Sequence, residues 1–381
     1  MQRSWSPADR LMLLRLVRSR GLGPVQISRL LERHGTPREA LATVERLKPG
    51  DITLCSPSTV ERELAALDAF GWHLLFKGDP AYPPQLAAIA DAPWAITVRG
   101  DPACLHGALV GIVGARNAST GGRRQAREMA ASLADGGFVV VSGLARGIDE
   151  AAHEGALSTG KTVAVIATGP DVAYPEEHGA LMERISEQGA VVSERPLGAA
   201  PTANQFPKRN RIISGLGIGL VVVEAAQRSG TLITARFAAD QGRELMAVPG
   251  SPLDPRHRGT NQLLREGAHL VETASDALAV LEPLRQRGFE SPTIPAMKIP
   301  PRLSENDQTP AKKPRSMKQP MEKVPLNRRV RERLGVEPLL VDELIRECHA
   351  SAAEVQNALF ELELSGELER HPGNRVSLAR P

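Results

Sequence analysis

The sequence predicts an α/β protein in three parts: a doubly wound sheet, a small helical domain before it and a winged helix after it. Short apolar runs alternate with helical segments between residues 73 and 290, which is the pattern of parallel strands joined by crossover helices. The two flanking regions follow helical spacing instead. A chain of 381 residues is also too long for one ordinary core, so several domains are expected.

The composition narrows the class of protein further. The net charge is only +3, and the three cysteines lie far apart, at positions 55, 104 and 348. This spacing argues against a disulfide framework or a zinc site and favours a reducing compartment. The first residues do not form an apolar signal core, and no stretch approaches the length of a membrane span. We therefore expect a cytoplasmic protein.

Residues 1–72 are predicted to form the helical domain. Ser6 and Pro7 are typical of a helix start, and the Gly-Leu-Gly-Pro segment at 21–24 separates this helix from the next. A helix, a glycine hairpin and a second helix resemble helix-hairpin-helix and sterile-alpha-motif modules, in which the hairpin can offer backbone N–H groups to phosphate. A packing domain is the favoured interpretation, and a DNA clamp is the alternative.

Residues 73–290 carry nine apolar segments that we predict to be the strands of the sheet. Each segment is short, rich in aliphatic residues and bounded by glycine, proline or polar turn residues. The predicted strands are 73–76, 95–98, 108–113, 138–142, 162–167, 190–193, 220–223, 244–248 and 268–271.

Three of these strands end in turns of small residues. The residues of interest in these turns, at 111–122, 142–149 and 229–231, are Arg116, Ser142, Gly143, Arg146, Ser229, Gly230 and Thr231. Ligands bind outside the carboxyl ends of parallel strands, so the three turns can converge on one anion-binding crevice. The first turn lacks the GxGxxG pattern and an acid placed to hold a ribose, so we expect no dinucleotide cofactor and predict none of another kind.

The most strongly cationic stretch, residues 204–215, precedes the seventh predicted strand. It contains one aromatic residue and then a run of polar ones: Phe206, Lys208, Arg209, Asn210 and Arg211. Guanidinium groups bind phosphate oxygens through a fixed fork of donors, so these cations, with Arg116 and Arg146, are predicted to rim the crevice. An ordinary solvated helix face is the alternative.

An enzyme is the second interpretation of the same crevice. Asp149, Glu194, Glu224 and His153 could supply a general base. Asp149 follows a glycine turn and starts a helical run, so a helix N-cap is its favoured interpretation. The sequence contains no GxSxG, HExxH or Walker pattern. We therefore expect a binding protein that is not an enzyme.

Two further regions follow the sheet. Residues 291–325 are predicted to be an extended linker, because prolines recur and cations outnumber acids there. Residues 326–381 are predicted to form a winged helix of three helices and a hairpin, with Leu339 and Leu340 in the second helix.

A winged helix usually reads DNA through its third helix, and the charges of that helix in this sequence argue against this role. The third helix carries Glu354, Glu361 and Glu363 and no cation, so DNA phosphates would repel it. Of the third helix and the hairpin, only the hairpin is basic, through Arg370, His371 and Arg375. We expect this domain to contact protein, or DNA through its wing alone.

Seven motifs follow one another along residues 70–280: VGARNAS, VSGLARGID, ATGPDVAYPEEH, SERPLG, NQFPKRNRIISGLG, VVVEAAQRSGTLITARFAADQGRELMAVPGSP and GTNQLLREGA. Together they resemble the DNA processing protein A family (DprA, also called Smf). Their length and order make this resemblance far more specific than a single glycine loop. One departure is Gly217, where we expect serine.

The resemblance implies an extended Rossmann-like domain that binds single-stranded DNA. It also implies a homodimer that hands the strand to the RecA recombinase during natural transformation. The residues that the matching motifs place in the crevice are Arg116, Ser142, Gly143, Arg146, Asp149, Lys208, Arg209, Asn210, Arg211, Ser229, Gly230 and Thr231. Among these, Lys208, Arg209 and Arg211 are implied to contact phosphates.

Two points about DNA binding follow from the residues themselves. Phe206 precedes the cations in a chain with few aromatic residues, so it is either a base-stacking platform or a buried anchor for its loop. We find no element that clearly presents base-edge readers to a groove, so we expect binding without sequence preference. A Rossmann-like hydrolase of the nucleoside monophosphate N-glycosidase type is the alternative function.

Overall fold

The computed structural model describes residues 5–47, 50, 52–287, 326–335, 338–348 and 350–379. They form two compact units, divided between Glu290 and Ser291. The linker predicted at 291–325 lies outside the described residues. Within the described ranges, no helix is both long enough and apolar enough to cross a membrane.

The first unit begins with four short helices, each of which starts at a proline. They are α1 (Pro7–Arg18), α2 (Pro24–His34), α3 (Pro37–Leu47) and α4 (Pro57–Ala69). Proline suits the first helical position because the N–H that it lacks would have no partner within the helix. Ser6 caps α1 as predicted, since its Oγ accepts a hydrogen bond from the backbone N–H of Asp9 at 3.2 Å.

These helices pack directly on the sheet. Their buried leucines, among them Leu13, share one hydrophobic cluster with Phe76 and Ala95 of the first two strands. The indole N–H of Trp94 also donates to the carbonyl of Pro24, at 3.0 Å. The helical region and the sheet therefore form one unit, and the domain boundary at residue 72 stays a prediction.

The nine strands lie within two residues of their predicted positions. They are β1 (His73–Phe76), β2 (Ala95–Gly100), β3 (Leu109–Val113), β4 (Val139–Ser142), β5 (Thr162–Ile166), β6 (Ala190–Ser193), β7 (Gly219–Val222), β8 (Glu244–Ala247) and β9 (His269–Leu270). Their order across the sheet is β1-β2-β6-β5-β4-β3-β7-β8-β9. The strands from β6 to β9 in this order are parallel, and β2 and β1 add an antiparallel edge.

Helices cover both faces of the sheet. They are α5 (Pro84–Ala87), α6 (Thr120–Asp135), α7 (Ile148–Thr159), α8 (Gly179–Gln188), α9 (Gln205–Leu216), α10 (Thr231–Asp240), α11 (Arg258–Arg265) and α12 (Ala274–Arg287). Successive side chains of a strand point to opposite faces. Accordingly, Leu220 of β7 packs in a cluster with Ile213 of α9, whereas Val221 packs in a second cluster with Met129 of α6. The predicted α/β class is therefore confirmed.

The chain changes its direction of progress across the sheet at β3. From β3 it proceeds outward through β4, β5 and β6, and it then returns to β7, which pairs with the other side of β3. The loops that leave β3 and β7 consequently diverge above the carboxyl ends of these neighbouring strands. Such a switch point is where open α/β sheets form their ligand crevices.

The second unit is a winged helix. Its elements are α13 (Leu326–Arg333), β10 (Leu339–Leu340), α14 (Val341–Cys348), α15 (Ala352–Leu364), β11 (Leu368–His371) and β12 (Arg375–Leu378). The prediction that Leu339 and Leu340 belong to a helix is wrong, because they form an antiparallel pair with Val376 and Arg375 of β12. Ser351 caps α15 as predicted.

Candidate functional site

A cleft of about 990 Å³ opens at the switch point between β3 and β7. Its walls come from the loops that follow β3, β4, β5, β6, β7 and β8, from one face of α9 and from the start of α10. The polar and aromatic residues that line it are Arg116, Asn117, Asp149, Tyr174, Phe206, Arg209, Asn210, Arg228, Ser229, Thr231, Thr234 and Arg256. Gly230 also belongs to the lining. The structure thus brings together the three turns that the sequence predicted to converge.

Hydrogen bonds fasten the turn at 229–231 to the turn after β3. Thr231 begins α10, and its Oγ1 donates to the carbonyl of Gly114 at 2.9 Å. The Oγ of Ser229 accepts a hydrogen bond from the backbone N–H of Thr231 at 3.1 Å. Thr231 therefore acts first as a brace that joins two walls of the cleft, and Ser229 stabilises the turn that carries Thr231.

Arg209 is the most deeply placed cation of the cleft. It points from α9 toward the loop after β4 and is only 6% exposed. A β-carbon built on Gly143 would come within 1.5 Å of its Nη1, so the guanidinium lies directly against the glycine backbone. Among the described residues, none forms a hydrogen bond with its buried Nε.

The charge of Arg209 is only partly compensated. Burial lowers the pKa of Arg209 to about 10, Asp149 opposes this shift, and Arg116 adds to it. A buried cation with one acid and a second cation for neighbours is a favourable place for an anion. This electrostatic arrangement is the clearest functional feature of the cleft.

Asp149 supports the loop after β4 and is the acid nearest to Arg209. Its carboxylate accepts a hydrogen bond from the backbone N–H of Gly143 at 3.1 Å. The predicted N-cap role is wrong in its detail, because Gly147 is the N-cap of α7 and Asp149 lies inside the first turn. Burial raises the pKa of Asp149, whereas Arg209 and the surrounding backbone amides lower it.

Three planar groups lie side by side in the cleft wall. The guanidinium carbon of Arg116 lies 5.2 Å from the ring centre of Phe206, and the ring of Tyr174 lies 5.5 Å from the same centre. Arg116 is exposed, Phe206 is half-buried, and Tyr174 is 43% exposed. Phe206 thus supports its two neighbours and still lines the cleft, which is compatible with both of its proposed roles.

Arg211 does not reach the cleft. Its Nη2 binds both oxygens of Glu194 at 2.7 Å, and its Nε lies 3.4 Å from a carboxylate oxygen of Asp91. Its side chain is buried as well. Because these acids already neutralise its charge, we withdraw Arg211 from the expected phosphate contacts.

Other predicted residues lie near the cleft without lining it. Ser142 is fully buried, and its Oγ donates to the carbonyl of Ile112 at 2.6 Å, so it braces β4 against β3. Arg146 is exposed and forms an ion pair with Glu177 at 2.5 Å. Lys208 is exposed on α9, outside the lining residues. Both side chains are exposed, so a ligand that extends beyond the cleft can reach Lys208 directly and Arg146 in competition with Glu177.

Sequence reasoning missed several lining residues, of which Arg256 is the most informative. It follows β8 and is held by Asp254 through hydrogen bonds of 2.8 to 3.2 Å. Because β8 is parallel to β7, its carboxyl end lies at the same edge of the sheet. The rule that ligands bind outside the carboxyl ends of parallel strands therefore also predicts that the turn after β8, which carries Arg256, belongs to the crevice.

Comparisons with known proteins identify the family. Residues 73–282 match the family model described as "DNA recombination-mediator protein A". The chain belongs to this family. Residues 7–66 match a DprA-like N-terminal HHH domain, and residues 313–374 match the DprA winged helix domain. The family resemblance seen in the motifs is thereby confirmed.

Relatives from several bacteria are similar over much of the chain. Protein Smf of Escherichia coli is 37% identical over 332 residues, which cover 84% of this chain and 82% of that protein. The DNA processing protein DprA of Streptococcus pneumoniae is 43% identical over 205 residues, or 54% of this chain and 72% of that protein.

Two solved structures share the fold. The crystal structure of DprA from Streptococcus pneumoniae has a TM-score of 0.63 at 32% identity and covers 73% of this chain and 99% of that one. A DprA structure from Helicobacter pylori, described for its single-stranded DNA-binding mode, has a TM-score of 0.51 at 27% identity and covers 56% of this chain and 96% of that one.

Proposed function

We propose that this protein binds single-stranded DNA in the cleft through the phosphate backbone. The observation that carries the proposal is the charge of the lining. Four arginines line the cleft, namely Arg116, Arg209, Arg228 and Arg256. Among the described lining residues, Asp149 is the only carboxylate. A groove of this charge attracts a polyanion, and its affinity falls as salt rises.

The remaining surface of the cleft suits unpaired bases. Tyr174 and Phe206 offer aromatic rings, and Ile233, which is 37% exposed, adds apolar area. Bases of a single strand can stack on such surfaces whatever their identity, whereas bases in a duplex are already stacked and paired. These contacts favour a single strand and supply no sequence preference. The single-stranded DNA-binding mode of the relative from Helicobacter pylori supports the same assignment.

We further propose that the protein works in the cytoplasm as a homodimer and hands the strand to the RecA recombinase during natural transformation and recombination. Membership of the recombination-mediator family supports this part. Sedimentation at several protein concentrations tests the dimer, and a single species of 40.9 kDa throughout would refute it. A RecA-loading assay on DNA coated with a single-strand-binding protein tests the transfer.

The positions of the candidate acids favour binding over catalysis. Glu224 is fully buried, and its carboxylate accepts hydrogen bonds from the backbone N–H and the Oγ of Ser119 at the start of α6. Asp149 is held by a backbone N–H and faces Arg209. A general base must reach the proton that it removes, and both carboxylates are already bound within the fold. We therefore propose a binding protein and not a nucleotide hydrolase.

Ligand length separates these two functions. A strand-binding protein should bind an oligo-dT of about twenty nucleotides far more tightly than thymidine monophosphate, since each neutralised phosphate adds to the affinity. A hydrolase should bind and cleave the mononucleotide. Equal affinity for both ligands, or release of free base, would contradict the proposal.

A further inference from the structure

Arg195 lies in the segment that leads from β6 to the cleft. Its backbone N–H donates to the Oγ of Ser193 at 2.9 Å, which fixes it directly after the strand. Further along the same segment, Pro201 and Ala203 line the cleft. The chain between Arg195 and Pro201 spans at most roughly 20 Å. Arg195 is therefore at the same edge of the sheet as the cleft, within roughly 20 Å of a residue that lines it.

The acids around Arg195 are already bound to other arginines. Both oxygens of Glu194 accept hydrogen bonds from Arg211, at 2.7 Å. Arg18 approaches from α1, where its Nη1 donates to the carbonyl of Glu194 at 2.9 Å and its Nε and Nη2 bind the carboxylate of Glu63. Within the described part of the chain, the buried Nε of Arg195 has no hydrogen-bond partner.

The charge of Arg195 is consequently poorly compensated. Burial and the neighbouring Arg18 lower the pKa of Arg195, and Glu194 raises it. A half-buried cation that lies beside a second cation gains free energy when an anion approaches. In addition, residues 196–203 contain no charged side chain, so Arg195 is the first cation met on leaving the cleft along this segment.

We propose that Arg195 is a second phosphate-binding site, which holds the DNA strand where it leaves the cleft toward the N-terminal helices. The proposal rests on the proposed function, because it concerns the continuation of the same strand. Its ligand is a backbone phosphate, whose oxygens match the forked donors of a guanidinium. An oligonucleotide too short to leave the cleft would not reach it.

The test compares two lengths of oligo-dT, about four and about twenty nucleotides, because single-strand sites span roughly 4–16 nucleotides. Affinity is measured across a salt series for wild type, Arg195→Ala and Arg195→Lys. Arg62→Ala is the matched control, since Arg62 is an exposed arginine on α4 whose Nε contacts the carbonyl of Ser58. Thermal unfolding verifies that each variant is folded.

We expect Arg195→Ala to lower the affinity for the longer strand about fivefold and its salt slope by about 0.7, the contribution of one phosphate contact. The short strand should bind unchanged, Arg195→Lys should keep most of the slope, and Arg62→Ala should match wild type. Equal affinity of Arg195→Ala and wild type for the long strand would overturn the inference, and so would equal losses at both lengths. If wild type binds neither strand, the proposed function itself fails.

Discussion

The guanidinium of Arg209 lies against the backbone of Gly143, so closely that a β-carbon at Gly143 would come within 1.5 Å of Nη1. This contact places a cation from α9 beside the loop that follows β4 and beside Asp149. Only glycine leaves room for it. The glycine in the second turn therefore has a steric role, and the position of Arg209 in the cleft depends on it.

Replacement of Gly143 by alanine should displace Arg209 and weaken DNA binding. The φ of Gly143 is outside the left-handed region, so the backbone tolerates alanine. We expect about a tenfold loss of affinity for oligo-dT, or about 1.4 kcal/mol. Gly121→Ala is the control, because its added β-carbon has only an ordinary contact of 3.7 Å with the Oγ of Ser119. Wild-type affinity in Gly143→Ala would show that the position of Arg209 is unimportant.

Arg116 should contribute both a charge and a flat surface. Arg116→Ala should lower the affinity and reduce the salt slope by about 0.7, because one phosphate contact is lost. Arg116→Lys should keep the slope yet bind a few fold more weakly, since it loses the planar contact with the ring of Phe206. Arg124→Ala, a side chain 60% exposed on α6, is the control. The account would be wrong if the alanine variant kept the wild-type slope.

His153 should make the fold sensitive to acid. Its Nδ1 lies 2.8 Å from the Oγ1 of Thr162, which itself donates to the carbonyl of Val140, so the histidine is the donor of the pair. Burial, with His178 and Arg209 nearby, lowers the pKa of His153 from 6.5 to about 3. Between pH 6.5 and 3 the unfolded chain binds more protons than the folded one, so stability falls as the pH falls through this window.

This linkage can be measured. From pH 6.5 to 5, His153 should reduce the free energy of unfolding by roughly 2 kcal/mol. His153→Asn keeps a donor near Thr162 but cannot be protonated, so its stability should change less over the same range. His73→Asn, at an exposed histidine, is the control. An unchanged pH dependence in His153→Asn would contradict the assignment.

The third helix of the winged helix should be dispensable for single-strand binding. Glu354 is unsuitable for charge reversal, because its carboxylate accepts hydrogen bonds from the backbone N–H and Oγ of Ser351 and caps α15. Gln356→Lys and Glu361→Lys change exposed positions instead. We expect the affinity of the full chain for oligo-dT to stay within about twofold of wild type. A rise or a fall of tenfold would mean that α15 faces the strand.

The strands and the switch point could be predicted from the sequence because their signals are local. Segments such as 219–223 are apolar on both faces. A strand whose two faces are both buried must be apolar throughout, so such a segment predicts a central strand. The segment at 339–340 shows the limit of such signals. Two leucines before a helix fit the helix equally well, and only their pairing with β12 decides the matter.

The roles of neighbouring cations could not be predicted. Arg209 and Arg211 are two positions apart on α9 and so point in different directions. Helical spacing shows that they cannot share a partner, but it does not show which one faces the cleft. The answer depends on Asp91 and Glu194, which bind Arg211 from distant parts of the sequence.

Binding of oligo-dT across a salt series tests the central claim most directly. The comparison is between wild type and a variant with Arg116→Glu and Lys208→Glu, two exposed positions whose reversal leaves the buried contacts in place. If the cleft is a phosphate track, wild type should bind with a steep salt slope, and the double reversal should abolish binding at moderate salt. Binding that the reversal leaves unchanged, or that salt does not weaken, would contradict the account.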